Sequence, residues 1–241
     1  MSRQREKGIF IIADGHSLKG QKSDLPLLII GNKNYSSWSL RPWLLLRTFD
    51  VAFRELKLPL DTAEFEARIG DYSPSRRVPA LHDGDVRLWD SLAIAEYVNE
   101  RWLGGRGWPA DLAVRAHARA ISAEMHSGFT ALRQEMPMNC RKRVTGRTFG
   151  ADAENDIVRV QAIWRDARRR HAGPGKFLFG HFGVADAMYA PVVLRFVSYG
   201  VALAPDVQGY ADAIVSMPAM QEWLADAVTE ALSDAHERMK P

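Results

Sequence analysis

Short apolar runs alternate with polar turns over the first hundred residues, whereas apolar residues recur at helical spacing through most of the remaining chain. Leu27 to Ile30 form the first apolar run, and a polar stretch then leads to Pro42 and three leucines. Proline suits the first turn of a helix, because an N–H group there has no intrahelical partner to lose. The pattern predicts a strand, a hydroxyl-rich turn and a helix across residues 27–46.

The hydroxyls of Tyr35, Ser36, Ser37 and Ser39 stand where this helix begins. Free N–H groups and the positive end of the helix dipole stabilise an anion at such a point, and a neighbouring hydroxyl donates to it as well. The segment therefore indicates a place to hold a thiolate or a carboxylate. From these residues alone, an ordinary capped strand–helix unit is the favoured alternative.

A second segment, Ser75 to Val98, predicts a hairpin followed by another helix start. The Val78-Pro79 step leads into a short apolar run, and Asp83-Gly84-Asp85 separates it from a second run. Asp90 and Ser91 are helix-capping types and stand directly before an apolar helical pattern. The chain thus makes a second helix N-terminus.

Together these segments resemble the glutathione S-transferase superfamily, and the similarity runs from about Leu27 to the C-terminal region. The stretch SSWSLRPW is similar to the serine-type motif of the zeta and theta-like classes, whose first serine, here Ser36, faces the glutathione sulfur. Val78-Pro79 resembles the cis-proline step of the family, and Asp90-Ser91 resembles its pair for the γ-glutamyl end. Tyr35 and Ser37 are the alternatives for the hydroxyl facing the sulfur; Ser37 is otherwise the helix cap.

The resemblance implies that Ser36 is the catalytic residue, lowering the pKa of the glutathione thiol by a hydrogen bond to its thiolate. It also implies a set of glutathione-binding residues: Ser37, Arg41, Arg77, Val78, Pro79, Asp90 and Ser91. For both arginines, a solvated helix or loop face is an equally good interpretation. Trp38 stands where a zeta-like enzyme carries cysteine, which counts against a zeta-type isomerase at that position.

The implied architecture is α/β followed by all-α. Residues 26–104 form a thioredoxin-like glutathione-binding domain with a mixed four-stranded sheet and helices, and residues 111–241 form an all-helical substrate-binding domain. Residues 1–25 are predicted to be a disordered or dispensable extension, with an upstream start codon as the alternative origin. The glycine-rich stretch after Arg101 is the predicted linker.

Four helices are predicted in the second half. Asp111 caps a long helix that continues through Phe129 and breaks near Pro137, and a second helix spans about Asp152 to His171. The segment Gly175 to Val197 resembles the family's buried central helix. Its capping acid is Asp186, and Gly183 replaces the usual serine or threonine, which leaves half of a capping box. The last helix runs roughly from Pro218 to Ala231, with one apolar face made by Met220, Trp223, Leu224 and Val228.

The cleft between the domains is where the resemblance puts an electrophilic co-substrate. The candidate lining residues lie on the first long helix of the second half: His126, Phe129, Arg133, Met136, Met138 and Asn139. For Phe129 and the two methionines, a core position is an equally good interpretation, and a lone histidine such as His126 has many structural uses.

Composition agrees with this interpretation. The chain has 241 residues and a formal charge of +3, and its basic clusters follow helical patterns that indicate solvated faces and not a nucleic-acid surface. Its only cysteine, Cys140, excludes an internal disulfide framework and fits the cytoplasm. Metal-ligand spacing, a phosphate loop and a membrane-length apolar run are absent from the sequence.

The predicted function is a cytoplasmic glutathione transferase, with glutathione as co-substrate and a small electrophile as partner; the family also implies a homodimer. A glutathione-dependent isomerase and a non-catalytic regulatory or binding protein of the same fold are the alternatives.

Overall fold

The computed structural model describes residues 25–231. The predicted extension, residues 1–25, therefore lies outside the described residues except for Leu25, and residues 232–241 of the predicted helical domain lie outside them too.

A mixed four-stranded sheet forms the first half, with strand order β2-β1-β3-β4. Its strands are β1 (Leu27–Ile30), β2 (Arg54–Lys57), β3 (Ala80–Asp83) and β4 (Val86–Trp89). β1 and β2 are parallel, and β3 is antiparallel to both β1 and β4. The hairpin predicted around Gly84 is confirmed: Gly84 has a φ of +57°, a conformation that suits glycine in a tight turn.

Helices pack against the sheet in the first half and are the main elements of the second half. In the first half they are α1 (Ser37–Thr48), α2 (Ala63–Arg68) and α3 (Ser91–Arg101), with a 3-10 turn at Ile69–Asp71. In the second half they are α4 (Leu112–Ser127), α5 (Thr130–Glu135), α6 (Ala151–His171), α7 (Val184–Tyr199), α8 (Pro205–Val215) and α9 (Pro218–Thr229). This order confirms the predicted fold, a thioredoxin-like unit followed by an all-helical one.

The long helix predicted after Asp111 is broken earlier than expected. It ends at Ser127, and not near Pro137, because Phe129 adopts a left-handed conformation with a φ of +60°. The guanidinium of Arg133 then donates to the carbonyl oxygens of Met125, His126 and Gly128, which lie at the end of α4. These bonds satisfy groups that a helix C-terminus leaves without partners.

The central helix α7 is buried along almost its whole length and packs against α1, joining the two halves. Asp186 is its capping acid, as predicted: one carboxylate oxygen accepts from the Gly183 N–H and the other from the Leu178 N–H, each at 3.0 Å. Burial nevertheless raises the pKa of Asp186 to about 7. Gly183 has no side-chain oxygen to accept a hydrogen bond from the Asp186 N–H. Only the Asp186 half of the capping box therefore forms, as the sequence predicts.

Two predictions for the C-terminal region need correction. α8 was not anticipated as a separate helix. The expected apolar face of α9 is only partly buried: Trp223 is fully buried, whereas Val228 is 63% exposed, because at helical spacing it lies away from the face that buries Trp223 and Ala227.

Candidate active site

The N-terminus of α1 is closed by a network of buried hydroxyls. Ser36 is the helix cap: its Oγ accepts from the Ser39 N–H at 3.4 Å and donates to the Ser39 Oγ at 2.7 Å. The Ser39 Oγ in turn accepts from the Gly31 N–H at 3.1 Å. The alternative that Ser37 caps the helix is therefore wrong, because Ser37 is already the first helical residue.

The Ser37 hydroxyl has a different partner, which comes from the helical half of the molecule. Arg195 reaches from α7 and donates from Nη2 to the Ser37 Oγ at 3.0 Å. Its other terminal nitrogen, Nη1, donates to the carbonyl oxygens of Arg133 and Met136. Arg195 is only 6% exposed, so it ties the start of α1 to the second half from inside the molecule.

Trp38, the next residue of the motif, is surrounded by cationic groups. The guanidinium carbons of Arg41 and Arg133 lie 4.1 and 4.7 Å from the centre of its ring. The ring of His126 meets it edge to face, with centroids 5.4 Å apart. Cation–π contacts of this kind hold both arginines in position beside the start of α1.

Three guanidinium groups, those of Arg41, Arg133 and Arg195, are therefore concentrated around Ser37 and Trp38. Burial lowers the pKa of Arg41 well below its usual value, and the positive charges of Arg133 and Arg195 lower it further. Burial and the charge of Arg133 also lower the pKa of Arg195, to about 9. Mutual repulsion of buried cations favours a bound anion, which would compensate their charge.

The N-terminus of α3 lies beside this cluster and carries the opposite charge. Asp90 caps α3 through its Oδ1, which accepts from the N–H groups of Leu92 and Ala93 at 2.9 and 3.2 Å. Its other oxygen, Oδ2, is 3.0 Å from Nε2 of His126 on α4. The buried hydroxyl of Ser91 accepts from Nη1 of Arg41 at 3.4 Å, which brings the starts of α1 and α3 together.

The remaining predicted glutathione-binding residues lie at the start of β3. The Val78-Pro79 peptide bond is cis, as the resemblance implied, and Pro79 is buried. Arg77 is exposed, in keeping with the solvated alternative.

The candidate electrophile-binding residues fall into two groups. His126 and Arg133 contact Trp38 and so belong to the cluster just described. Phe129, Met136 and Met138 are at most 7% exposed and lie in the hydrophobic core, as the alternative interpretation had it. The buried Asn139 side chain accepts from the N–H groups of Arg141 and Lys142, so it closes a turn.

Arg195 and Trp38 are the residues of this region that sequence reasoning missed. Trp38 was considered only as a departure from the zeta-class motif. Arg195 had a detectable signal, since it is the one charged residue in the run APVVLRFV of a largely apolar helix. A charge in a buried helix needs a partner, and such residues are functional candidates.

Within residues 25–231, no helix is long and apolar enough to cross a membrane. The same range holds no group of three or more histidine, cysteine, aspartate or glutamate side chains placed to bind a metal ion.

Comparison with known proteins shows which proteins this chain resembles. Residues 35–101 match the family model "Glutathione S-transferase, N-terminal domain". The chain is 26% identical over 182 residues to a probable maleylacetoacetate isomerase of Caenorhabditis elegans, an alignment covering 75% of this chain and 83% of that protein. It is 28% identical over 191 residues to the maleylacetoacetate isomerase of Mus musculus, covering 75% and 82%.

Solved structures show the same fold. A glutathione transferase homologue from Burkholderia, crystallised with bound glutathione, superposes with a TM-score of 0.66 at 23% identity, covering 86% of this chain and all of that one. The chain thus has the two-part fold of glutathione transferases, in which a four-stranded sheet with its helices is followed by an all-helical half. Residues 35–101 thus match the N-terminal domain of glutathione S-transferases, and the predicted resemblance to the glutathione S-transferase superfamily is confirmed.

Proposed function

We propose that this protein is a glutathione transferase in which the Ser36 hydroxyl stabilises the glutathione thiolate for attack on an electrophile. The Ser36 Oγ lies at the positive end of α1, where the helix dipole and a donated hydrogen bond both favour a negatively charged sulfur. For Ser36 to donate to sulfur, its hydrogen bond with Ser39 must reverse, so that Ser39 becomes the donor. Because Ser39 already accepts from the Gly31 N–H, that reversal extends a chain of donors toward the sulfur.

The observation that carries this proposal is the junction of two helix N-termini with complementary chemistry. The 3.4 Å contact between Arg41 and Ser91 joins them. One start offers hydroxyls for a thiolate, and the other offers Asp90 for an α-ammonium and the N–H groups of α3 for a carboxylate. A short zwitterionic peptide with a thiol carries these three groups, and glutathione is such a peptide. Val78 would pair with its cysteinyl backbone.

Calorimetry with glutathione, followed by turnover with a panel of electrophiles, tests the proposal. We expect saturable binding of glutathione and conjugation of at least one electrophile. S-methylglutathione is the matched ligand control, since it keeps the peptide and removes the ionisable thiol. A regulatory protein of this fold would turn over none of the electrophiles, and that result would refute the enzymatic proposal.

A second candidate is a glutathione-dependent isomerase of an acidic substrate, and the three-arginine cluster favours it. Reversible addition of the thiolate to a conjugated double bond allows rotation, and elimination then returns glutathione unchanged. The positive charges of Arg41, Arg133 and Arg195 would attract the carboxylates of such a substrate. The relatives named maleylacetoacetate isomerase support this candidate. Trp38, where a zeta-like enzyme carries cysteine, counts against a zeta-type isomerase.

Replacing Arg195 with methionine tests whether the arginine cluster selects for acidic substrates, as the second candidate requires. Loss of a buried positive charge should raise KM for a carboxylate-bearing electrophile by about tenfold or more, because its attraction for the carboxylate is lost. KM for a neutral electrophile should change little. Equal effects on both substrates would show that the cluster does not select for acidic substrates.

We also propose a homodimer in which the first domain of one subunit packs against the helical domain of the other. Val86 and Trp89 are 38% and 46% exposed on β4, an edge strand of the sheet. Exposed apolar side chains on an edge strand favour a partner surface. Sedimentation at micromolar concentration should give a dimer, and monomer alone would refute the proposal.

The proposed location is the cytoplasm, where glutathione is plentiful.

A further inference from the structure

The loop that carries Ser36 is held by residues from the far end of the chain. This loop, residues 31–36, joins β1 to α1. The Lys33 carbonyl accepts from Nε1 of Trp223 on α9 at 2.9 Å, and Lys33 Nζ lies 2.7 Å from Oδ2 of Asp226. The Asn34 carbonyl accepts from the Cys140 N–H at 3.2 Å. The conformation of the loop therefore depends on the helical half of the molecule.

Glu230, the residue just after α9, makes the most specific of these contacts. Its Oε1 accepts from the Lys33 N–H at 2.9 Å, and its Oε2 accepts from the Asn34 N–H at 3.1 Å. One carboxylate thus binds two consecutive backbone N–H groups of the loop. Its side chain is only 2% exposed, and Lys57 Nζ, 2.9 Å from Oε1, supplies the counter-charge.

We propose that Glu230 is a positioning residue for the thiolate-stabilising hydroxyl. A buried carboxylate on two adjacent N–H groups fixes both peptide planes of Lys33 and Asn34, because a charge-assisted bond is strong and directional. The Ser36 N–H donates to the Asn32 carbonyl at 2.8 Å, so the peptide planes between Asn32 and Ser36 set where the Ser36 Oγ lies. This inference rests on the proposed role of Ser36.

The consequence for the reaction is specific. A shift of the Ser36 hydroxyl weakens a hydrogen bond to sulfur steeply, whereas the glutathione-anchoring groups at α3 and β3 stay in place. Loss of Glu230 should therefore raise the pKa of the bound thiol and lower kcat at neutral pH. KM for glutathione should change much less.

Glu230→Gln is the test variant, since it keeps the shape and presents an amide NH2 group to one of the two N–H donors. A matched control separates this role from a general loss of negative charge. Glu222→Gln neutralises a carboxylate of α9 that pairs with Arg47 of α1 away from the loop.

Two readouts are needed on the full chain: amide hydrogen exchange at Lys33 and Asn34, and the ultraviolet titration of bound glutathione. In the wild type both amides should be protected. In Glu230→Gln their exchange should speed up by about tenfold or more, the bound thiol pKa should rise, and kcat should fall by about tenfold. The Glu222→Gln control should stay close to wild type. If Glu230→Gln does not fold, Glu230→Asp, which retains the charge with a shorter reach, takes its place with the same expectations.

Unprotected Lys33 and Asn34 amides in the wild type would overturn the inference, as would exchange in Glu230→Gln no faster than in Glu222→Gln. Faster exchange with an unchanged thiol pKa would also overturn it, since Glu230 would then have a structural role only. A wild type that binds glutathione without lowering its thiol pKa is a distinct outcome. It refutes the proposed role of Ser36, and with it the positioning role, while the exchange data separately report whether Glu230 holds the loop.

Discussion

The two helix starts of the candidate site differ in burial and in what holds them. At α1, Ser36 and Ser37 are 6% exposed and bonded to groups that are themselves buried, including Arg195 from the other half of the chain. At α3, Asp90 is exposed and contacts the helical half at the His126 ring. We infer that the start of α1 is a preorganised reaction centre and that the start of α3 is an anchoring point. When a ligand binds at α3, its contact with Asp90 replaces that of His126.

Backbone conformation reinforces this difference. Asp90 has a φ of +78°, a region that L-residues seldom adopt, and it keeps its carboxylate aimed both at the N–H groups of α3 and at solvent. Strained residues of this kind cluster at ligand-binding sites. Ser36 has a φ of −81° and its position is set by hydrogen bonds. The two starts should therefore respond differently to mutation.

The largest effect on binding is expected at α3. Asp90→Asn keeps the capping oxygen and tolerates the unusual φ, but it removes the charge that would pair with the α-ammonium of glutathione. Calorimetry should show that the binding free energy of glutathione is less favourable by about 1–3 kcal/mol. Asp111→Asn is the matched control, because Asp111 also caps a helix, through the Val114 N–H. Equal affinity in the two variants would remove Asp90 from the site.

At α1, the free energy of unfolding should distinguish the two serines. Ser36→Ala removes a helix cap and should cost about 1 kcal/mol. Ser37→Ala leaves Nη2 of the buried Arg195 without its acceptor and should cost about 1–3 kcal/mol, as expected for an unsatisfied buried donor. Urea unfolding of both variants tests the comparison. A Ser37→Ala protein as stable as wild type would mean that the Arg195 contact contributes nothing to stability.

The smallest effect is expected at His126. Its contact with Asp90 must break before an α-ammonium takes its place, and a partly exposed contact of this kind is worth only about 0.5 kcal/mol. His126→Phe retains the edge contact with Trp38 and should tighten glutathione binding about twofold. Weaker binding in this variant would mean that His126 itself contacts the ligand.

Local signals were sufficient to predict both helix starts. Glycine at position 84 marks the tight turn, and Asp90, directly before an apolar helical pattern, marks the helix cap. Both signals depend only on neighbours in the sequence. The break after Ser127 was missed because no breaker stronger than Gly128 precedes Pro137, and the left-handed Phe129 is stabilised by tertiary contacts.

Contacts across the two halves were the part that sequence reasoning could not provide. Arg195 reaches Ser37 across 158 positions, and Glu230 reaches Lys33 across 197. Neither pair has a spacing or motif that marks it, because each depends on how α7 and α9 pack against α1. The identity of the hydroxyl that caps α1 was likewise settled only by the exact helix boundary, which sequence patterns fix to within a few residues.

The pKa of the glutathione thiol bound to wild type, Ser36→Ala and Ser37→Ala tests the central claim most directly. Ultraviolet titration of the thiolate should give a wild-type pKa below that of a free thiol, and Ser36→Ala should raise it to about 8.5 or above while glutathione affinity is nearly unchanged. Turnover at neutral pH should fall with the deprotonated fraction. An unchanged thiol pKa in Ser36→Ala, with the rise appearing instead in Ser37→Ala or in Tyr35→Phe, would contradict the assignment of the reaction centre to Ser36.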